Sequence, residues 1–142
     1  MSINIKIGFI CTGNSARSQM AEGFGRFYAK KLGKDIEVYS AGSDPSGYVH
    51  PLAIKVMAEK GIDISKNRSK SLEEIPLNEL DFVITLCGDA AENCPVIPGA
   101  KTIHWGLPDP AKAEGTEEEK LQVFREIRDK IEEKVKNMIA GI

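Results

Sequence analysis

Ile5-Lys6-Ile7-Gly8-Phe9-Ile10-Cys11-Thr12-Gly13-Asn14-Ser15-Ala16-Arg17-Ser18-Gln19-Met20 runs from an apolar stretch through a small polar turn into the start of an amphipathic one. The apolar part reads as a strand that ends at the sulfur, and open α/β sheets bind ligands at the carboxyl edge of their strands. A helix is expected to begin near Arg17. Its first backbone N–H groups lack intrahelical partners and its dipole is positive there, so the turn suits a tetrahedral oxyanion. Thr12, Gly13, Asn14, Ser15, Ala16, Arg17 and Ser18 are the residues expected to line that cradle. Gly13 permits positive φ and Asn14 tolerates the left-handed region, so consecutive N–H groups can curl inward. Arg17 supplies a planar fork matched to two oxygens of one anion, and a cation beside helix amides favours the nucleophilic thiolate at Cys11. Ser15 and Ser18 are candidate donors to the sulfur or to the loop. The competing reading makes Cys11 a small buried hydrophobe and Arg17 a surface residue. A C-x5-R pair alone is weak; the strand before it, the Gly-Asn within it and the helix after it give it weight.

With 142 residues the chain has the size of one domain, and its formal charge of -2 with mixed signs gives no electrostatic footprint for nucleic acid or an anionic membrane. There is no run of about 18 apolar residues and no charged-then-apolar N-terminal pattern, so a soluble cytoplasmic protein is expected. Three cysteines, an odd number, argue against a secreted disulfide scaffold and for thiol chemistry in a reducing compartment.

Further along, strand and helix patterns alternate. Gln19 to Leu32 carries a helical stripe at Met20, Phe24, Phe27 and Tyr28, with Gly33 as its stop. Ile36 to Ala41 reads as a second strand, Pro51 opens a helix to about Lys60 with Gly61 closing it, Asp81 to Leu86 is a third strand and Lys101 to Trp105 a fourth. The last helix is marked by Thr116 as N-cap, Glu117 and Glu118 at the positive dipole end and Glu119 in the capping-box position. Its apolar positions Leu121, Phe124, Ile127, Ile131, Val135 and Met138 read as core packing rather than a dimer face, and a monomer is expected. Together these imply a single three-layer α/β domain over residues 1–142: a four-stranded parallel sheet, right-handed crossovers and helices on both faces.

The same sheet edge gathers more chemistry. Cys87 follows the third strand, so two strand tips can present sulfur to one pocket. Cys94 lies in the small, polar stretch Cys87-Gly88-Asp89-Ala90-Ala91-Glu92-Asn93-Cys94-Pro95, suited to the movement that a thiol relay requires. Inert packing cysteines or a structural metal site are the alternatives; the spacing does not match the close pairs of zinc sites, and His50 and His104 are the only histidines. Leu107-Pro108-Asp109-Pro110 holds a carboxyl group on a stiff arm, placed to protonate a leaving oxygen unless Asp109 merely starts a turn.

The chain resembles the thioredoxin-coupled arsenate reductases, which share the low-molecular-weight protein tyrosine phosphatase fold. The resemblance is carried by CTGNSARSQMAE (Cys11 to Glu22), YSAG (Tyr39 to Gly42), TLCGDAAENCP (Thr85 to Pro95) and HWGLPDPAKAEGTEEEK (His104 to Lys120). It implies that Cys11 attacks arsenate while Arg17 and the loop amides hold the oxyanion, that Cys87 then attacks Cys11 with release of arsenite, and that Cys94 attacks Cys87, leaving a Cys87–Cys94 disulfide for thioredoxin to reduce. No cofactor is required, although some relatives hold potassium near the loop, for which Asn14, Glu22, Ser40 and Asp63 are the candidate ligands. Many relatives carry another cysteine where this chain has Ala16. The alternatives are a phosphatase using Cys11, Arg17 and Asp109, and a non-catalytic sensor of arsenate or phosphate. Against the phosphatase, Pro110 and Ala111 follow the acid, leaving no aromatic wall there for a phenyl ring.

Overall fold

Ile5–Cys11 forms strand β1, and its residues from Ile7 onward are buried, as a strand covered on both faces must be. The computed structural model describes residues 4–87 and 99–142. Ile36–Gly42 (β2) pairs with one side of β1 and Phe82–Cys87 (β3) with the other, while Lys101–Leu107 (β4) lies beyond β3. The order is β2-β1-β3-β4 and every pairing is parallel. Parallel pairing puts all carboxyl ends at one edge: Cys11 lies opposite Gly42, Ile10 opposite Thr85, and Cys87 opposite Leu107.

Helix α1 spans Arg17–Lys31, α2 Pro51–Ala58 and α3 Glu117–Gly141. Alternating residues of β1 serve two cores. Ile7 and Phe9 join Met20, Phe24, Met57, Phe124, Ile131 and Val135 in the larger one, where the three α-helices pack. Ile10 joins Ala41, Ile75, Leu80 and Val83 in the smaller, which short 3-10 turns at Leu72–Glu74 and Leu77–Glu79 cover. Helical turns therefore flank both faces, with the α-helices gathered on one among the described residues. No helix there is long and apolar enough to cross a membrane.

The helix ends follow their sequence signals. Gly33 sits at φ 66° just past α1, and Thr116 and Glu119 exchange both capping-box hydrogen bonds at 3.2 Å. Two positions depart from the expected stripes. Phe27 is 39% exposed, packed edge-on against Tyr28 at 5.0 Å between ring centroids, because the buried stripe runs Met20, Phe24, Tyr28 in steps of four. In α3 the stripe closes on Ile139, a step of four from Val135, and Met138 is only partly buried. β4 also continues two residues past Trp105, with a register shift against β3 between Thr85 and Cys87.

Candidate active site

The β1–α1 loop is held from outside through its carbonyls. Those of Cys11, Thr12, Gly13 and Ser15 accept the N–H groups of Ser43, Asp44, Ser46 and His50 at 3.3, 2.9, 2.9 and 3.0 Å, and that of Asn14 accepts Gln19 Nε2 at 3.2 Å. With the carbonyls engaged outward, the N–H groups turn inward: Asn14 N–H reaches Cys11 Sγ at 3.2 Å. Asn14 is the only non-glycine at positive φ among the described residues, at 46°. Gly13 does not use its left-handed freedom; Asn14 alone makes that turn. Gly42 is needed for a different reason. A Cβ there would stand 2.4 Å from the Thr12 carbonyl oxygen and 2.9 Å from Asn14 N, so the end of β2 touches the loop backbone only because it has no side chain.

Cys11 is a free thiol, 2% exposed. Its sulfur lies 2.9 Å from Ser18 Oγ. That hydroxyl accepts from Asn14 Nδ2 at 2.8 Å and can turn its own proton toward an ionised sulfur. A thiolate here would thus receive two hydrogen bonds, from Asn14 N–H and Ser18 O–H. Arg17 is buried, and its Nη1 donates to the carbonyls of Leu86 at 3.2 Å and Leu107 at 3.0 Å, the penultimate residue of β3 and the last of β4. The extension of β4 to Leu107 supplies the second of these anchors. Nη2 stands 3.7 Å from Asp109 Oδ2, while Asp109 Oδ1 accepts Ala111 N–H at 3.0 Å and caps the 3-10 turn Pro110–Lys112.

Cys11, Gly13, Ser15, Ala16, Arg17 and Asp109 line one cavity of about 130 Å³, closed by Ser46, Tyr48, His50 and Ala111. A cavity of about 150 Å³ holds one benzene, so this one takes a single small group. Ser15 Oγ is buried without a hydrogen-bond partner among the described residues, an orphaned polar atom that a bound oxyanion would satisfy. Tyr48 and His50 carried no signal in the sequence, because they lie in a loop without periodicity. Tyr48 places an aromatic ring in the wall, from the opposite side to the acid loop where none was expected. His50 caps α2, its Nδ1 accepting Leu52 N–H at 3.1 Å, and burial lowers its pKa below the usual 6.5 against the opposing pull of Asp109.

Thr12 Oγ1 faces Cys87 Sγ at 3.9 Å, linking the tips of β1 and β3, and Cys87 is disulfide-bonded. Cys94 lies outside the described residues. Of the four oxygen donors expected for potassium, three share one buried network: Asn14 Nδ2 donates to Ser40 Oγ at 3.0 Å, and Ser40 Oγ donates to Glu22 Oε1 at 2.9 Å. Asp63 is exposed, its carboxylate accepting Ser65 N–H at 2.8 Å. The place beside Ser40 and Glu22 is taken by an ammonium, Lys70 Nζ, at 3.4 and 3.7 Å, so the residues present do not fit a free metal cation.

The family model for the low molecular weight phosphotyrosine protein phosphatases matches residues 6–142. An arsenate reductase of Shouchella clausii is 54% identical over 131 residues, covering 92% of this chain and 91% of that one. A solved arsenate reductase in a phosphate-binding state superposes with a TM-score of 0.81 at 39% identity, covering 97% of this chain and 98% of that one. A low molecular weight protein tyrosine phosphatase from T. tengcongensis superposes at 0.79 with 28% identity, covering 97% and 99%.

Proposed function

The chain belongs to the low molecular weight phosphotyrosine protein phosphatase family, and within it we propose that it reduces arsenate to arsenite through Cys11, Cys87 and Cys94. The observation that carries this reading is the Thr12 bridge, which brings a second thiol position, Cys87, to the rim of a cradle that already holds a nucleophile and a fixed guanidinium. Phosphate-ester hydrolysis has no use for that sulfur.

In the first step Cys11 thiolate attacks arsenic; an As–S bond forms and one hydroxyl leaves as water, with Asp109 placed to deliver the proton. Arg17, the loop amides and Ser15 Oγ hold the remaining oxygens. Cys87 thiolate then attacks the Cys11 sulfur. An S–S bond forms, the As–S electron pair passes to arsenic, and arsenite departs. Cys94 next attacks Cys87, Cys11 leaves as thiolate, and the Cys87–Cys94 disulfide is reduced by thioredoxin. The balance is one arsenate and two thiols to one arsenite, one disulfide and one water. The protein works as a cytoplasmic monomer that meets its reductant transiently.

Replacing Cys87 or Cys94 by Ser is expected to abolish multiple turnover with arsenate and thioredoxin while sparing hydrolysis of a small aryl phosphate; Cys11→Ser loses both. Arsenate turnover surviving in Cys87→Ser would remove Cys87 from the relay, and a wild type that hydrolyses the ester but releases no arsenite would transfer the assignment to a phosphatase. That second reading has its own support in Tyr48, whose ring lines the cavity, and it predicts residual activity on aryl esters. A sensor would release no arsenite in a single turnover.

A further inference from the structure

Glu22 is a carboxylate 1% exposed beneath the nucleophile loop. Its Oε1 accepts from Ser40 Oγ and its Oε2 from Asn67 Nδ2, each at 2.9 Å. Among the described residues two cations approach it. Arg26 Nη1 stands 3.4 Å from Oε2, but its side chain is 57% exposed, whereas Lys70, with a side chain only 16% exposed, reaches in to 3.7 Å from Oε1. Around Lys70 Nζ are a carboxylate oxygen, the Ser40 hydroxyl at 3.4 Å and the Arg68 carbonyl at 3.1 Å. Oxygens of these three kinds are what a hard cation collects. Here the cation is covalently part of the chain.

The ammonium is wired to the cradle twice. Through its side chain it meets Ser40 Oγ, which accepts from Asn14 Nδ2. Through its backbone, Lys70 N–H donates to Asn14 Oδ1 at 2.9 Å. Asn14 in turn makes the left-handed turn of the loop, hydrogen-bonds Ser18 Oγ and sends its N–H to Cys11 Sγ. The charge under the loop therefore bears on the orientation of the residue that shapes the nucleophile's surroundings. Among the described residues, removing it would leave Glu22 buried against hydroxyl and amide groups with only a solvent-exposed arginine, and a buried carboxylate short of a paired charge draws its donors out of place.

We propose that Lys70 is a positioning residue whose ammonium does the work of a monovalent metal ion beneath the loop, so that this chain binds oxyanion and folds without potassium. The tethered charge needs no free ion and repels one. The claim is independent of the redox steps, because its readouts are melting temperature and affinity for inorganic phosphate, and it stands if arsenate proves not to be the substrate.

The experiment compares wild type, Lys70→Met and Lys70→Asp in chlorides of potassium, sodium and N-methylglucamine at one ionic strength. Wild type is expected to melt at the same temperature and bind phosphate equally in all three. Lys70→Met keeps the apolar stem and loses the charge; its phosphate affinity is expected to fall about tenfold in N-methylglucamine, the low end of the loss when a group orienting a binding residue is removed. In Lys70→Asp, a carboxylate replaces the ammonium, and potassium should raise both melting temperature and phosphate affinity while N-methylglucamine does not. A purely structural lysine would show no such ion-specific rescue. Wild type gaining stability or affinity from potassium over N-methylglucamine would overturn the proposal, as would Lys70→Met binding phosphate like wild type.

Discussion

On the β2 side of the pocket, the carbonyls from Cys11 to Ser15 all have donors, and the polar side chains behind them form an unbroken chain from Ser18 through Asn14, Ser40 and Glu22 to Asn67. On the β4 side, Asp109 hangs from a 3-10 turn with its side chain 23% exposed, 3.7 Å from the guanidinium, and the backbone reaches it only after a register shift in the sheet. The two walls do different work. The first must present donors to an anion with no reorganisation as charge develops, and buried, fully paired networks are rigid. In the proposed reaction the second moves a proton and makes room for a second sulfur, tasks that need access and adjustment.

The contrast breaks most sharply at Asp109. Asp109→Asn keeps the shape of the turn but cannot give a proton; turnover is expected to fall by about 10²- to 10⁴-fold, the usual worth of a positioned acid. Phosphate affinity, read by calorimetry, should hold or rise, since a carboxylate beside Arg17 is gone. Loss of phosphate binding instead would mean that the acid wall also shapes the cradle. No such split is expected of Gly42→Ala. Its Cβ meets loop backbone rather than a flexible side-chain tip, so the loop must shift, and displacement of reacting groups by about 1 Å costs on the order of 10²-fold. Phosphate affinity and turnover should fall together; an unchanged affinity would show that the cradle is more yielding than its hydrogen bonds suggest.

A smaller effect sharpens the comparison at the rim. His50 Nδ1 must be unprotonated to accept Leu52 N–H, and its pKa is lowered from 6.5 in the folded chain, burial being the main cause. The unfolded chain therefore binds the proton first as pH falls. The stability from this cap is fully present above pH 6.5 and is lost as pH drops through the folded value. His50→Asn keeps a capping side chain that does not titrate, so its melting temperature should decline less on acidification, by about 3 °C for a cap worth about 1 kcal/mol in a chain of this size. Identical acid profiles for the two proteins would remove His50 from the account.

Local rules made much of this legible in the sequence. The strand before Cys11 is apolar apart from Lys6, the helix after Arg17 and the Thr116–Glu119 capping box obey short-range chemistry, and parallel pairing then brings Cys11, Cys87 and Asp109 to one edge. The residues that escaped are those acting across long sequence separations, from irregular loops or through a backbone carbonyl at a strand end. Lys70 meets Asn14 from 56 positions away, His50 binds the Ser15 carbonyl from the segment before α2, and Leu107 anchors Arg17 from 90 positions away. Lys70 and His50 belong to no period, a backbone carbonyl leaves no trace in residue type, and a lysine in a loop reads as solvated. The expected potassium ligands show the same limit: residue type suggested Asp63, whereas the fold brings the Lys70 ammonium to Ser40 and Glu22.

The most direct test of the central claim starts from fully reduced protein given one equivalent of arsenate with no reductant, followed by acid quench, alkylation and mass-spectrometric mapping. One arsenite per chain is expected, with a disulfide joining Cys87 to Cys94 and Cys11 recovered as the alkylated thiol. Three alkylated cysteines and intact arsenate would contradict it.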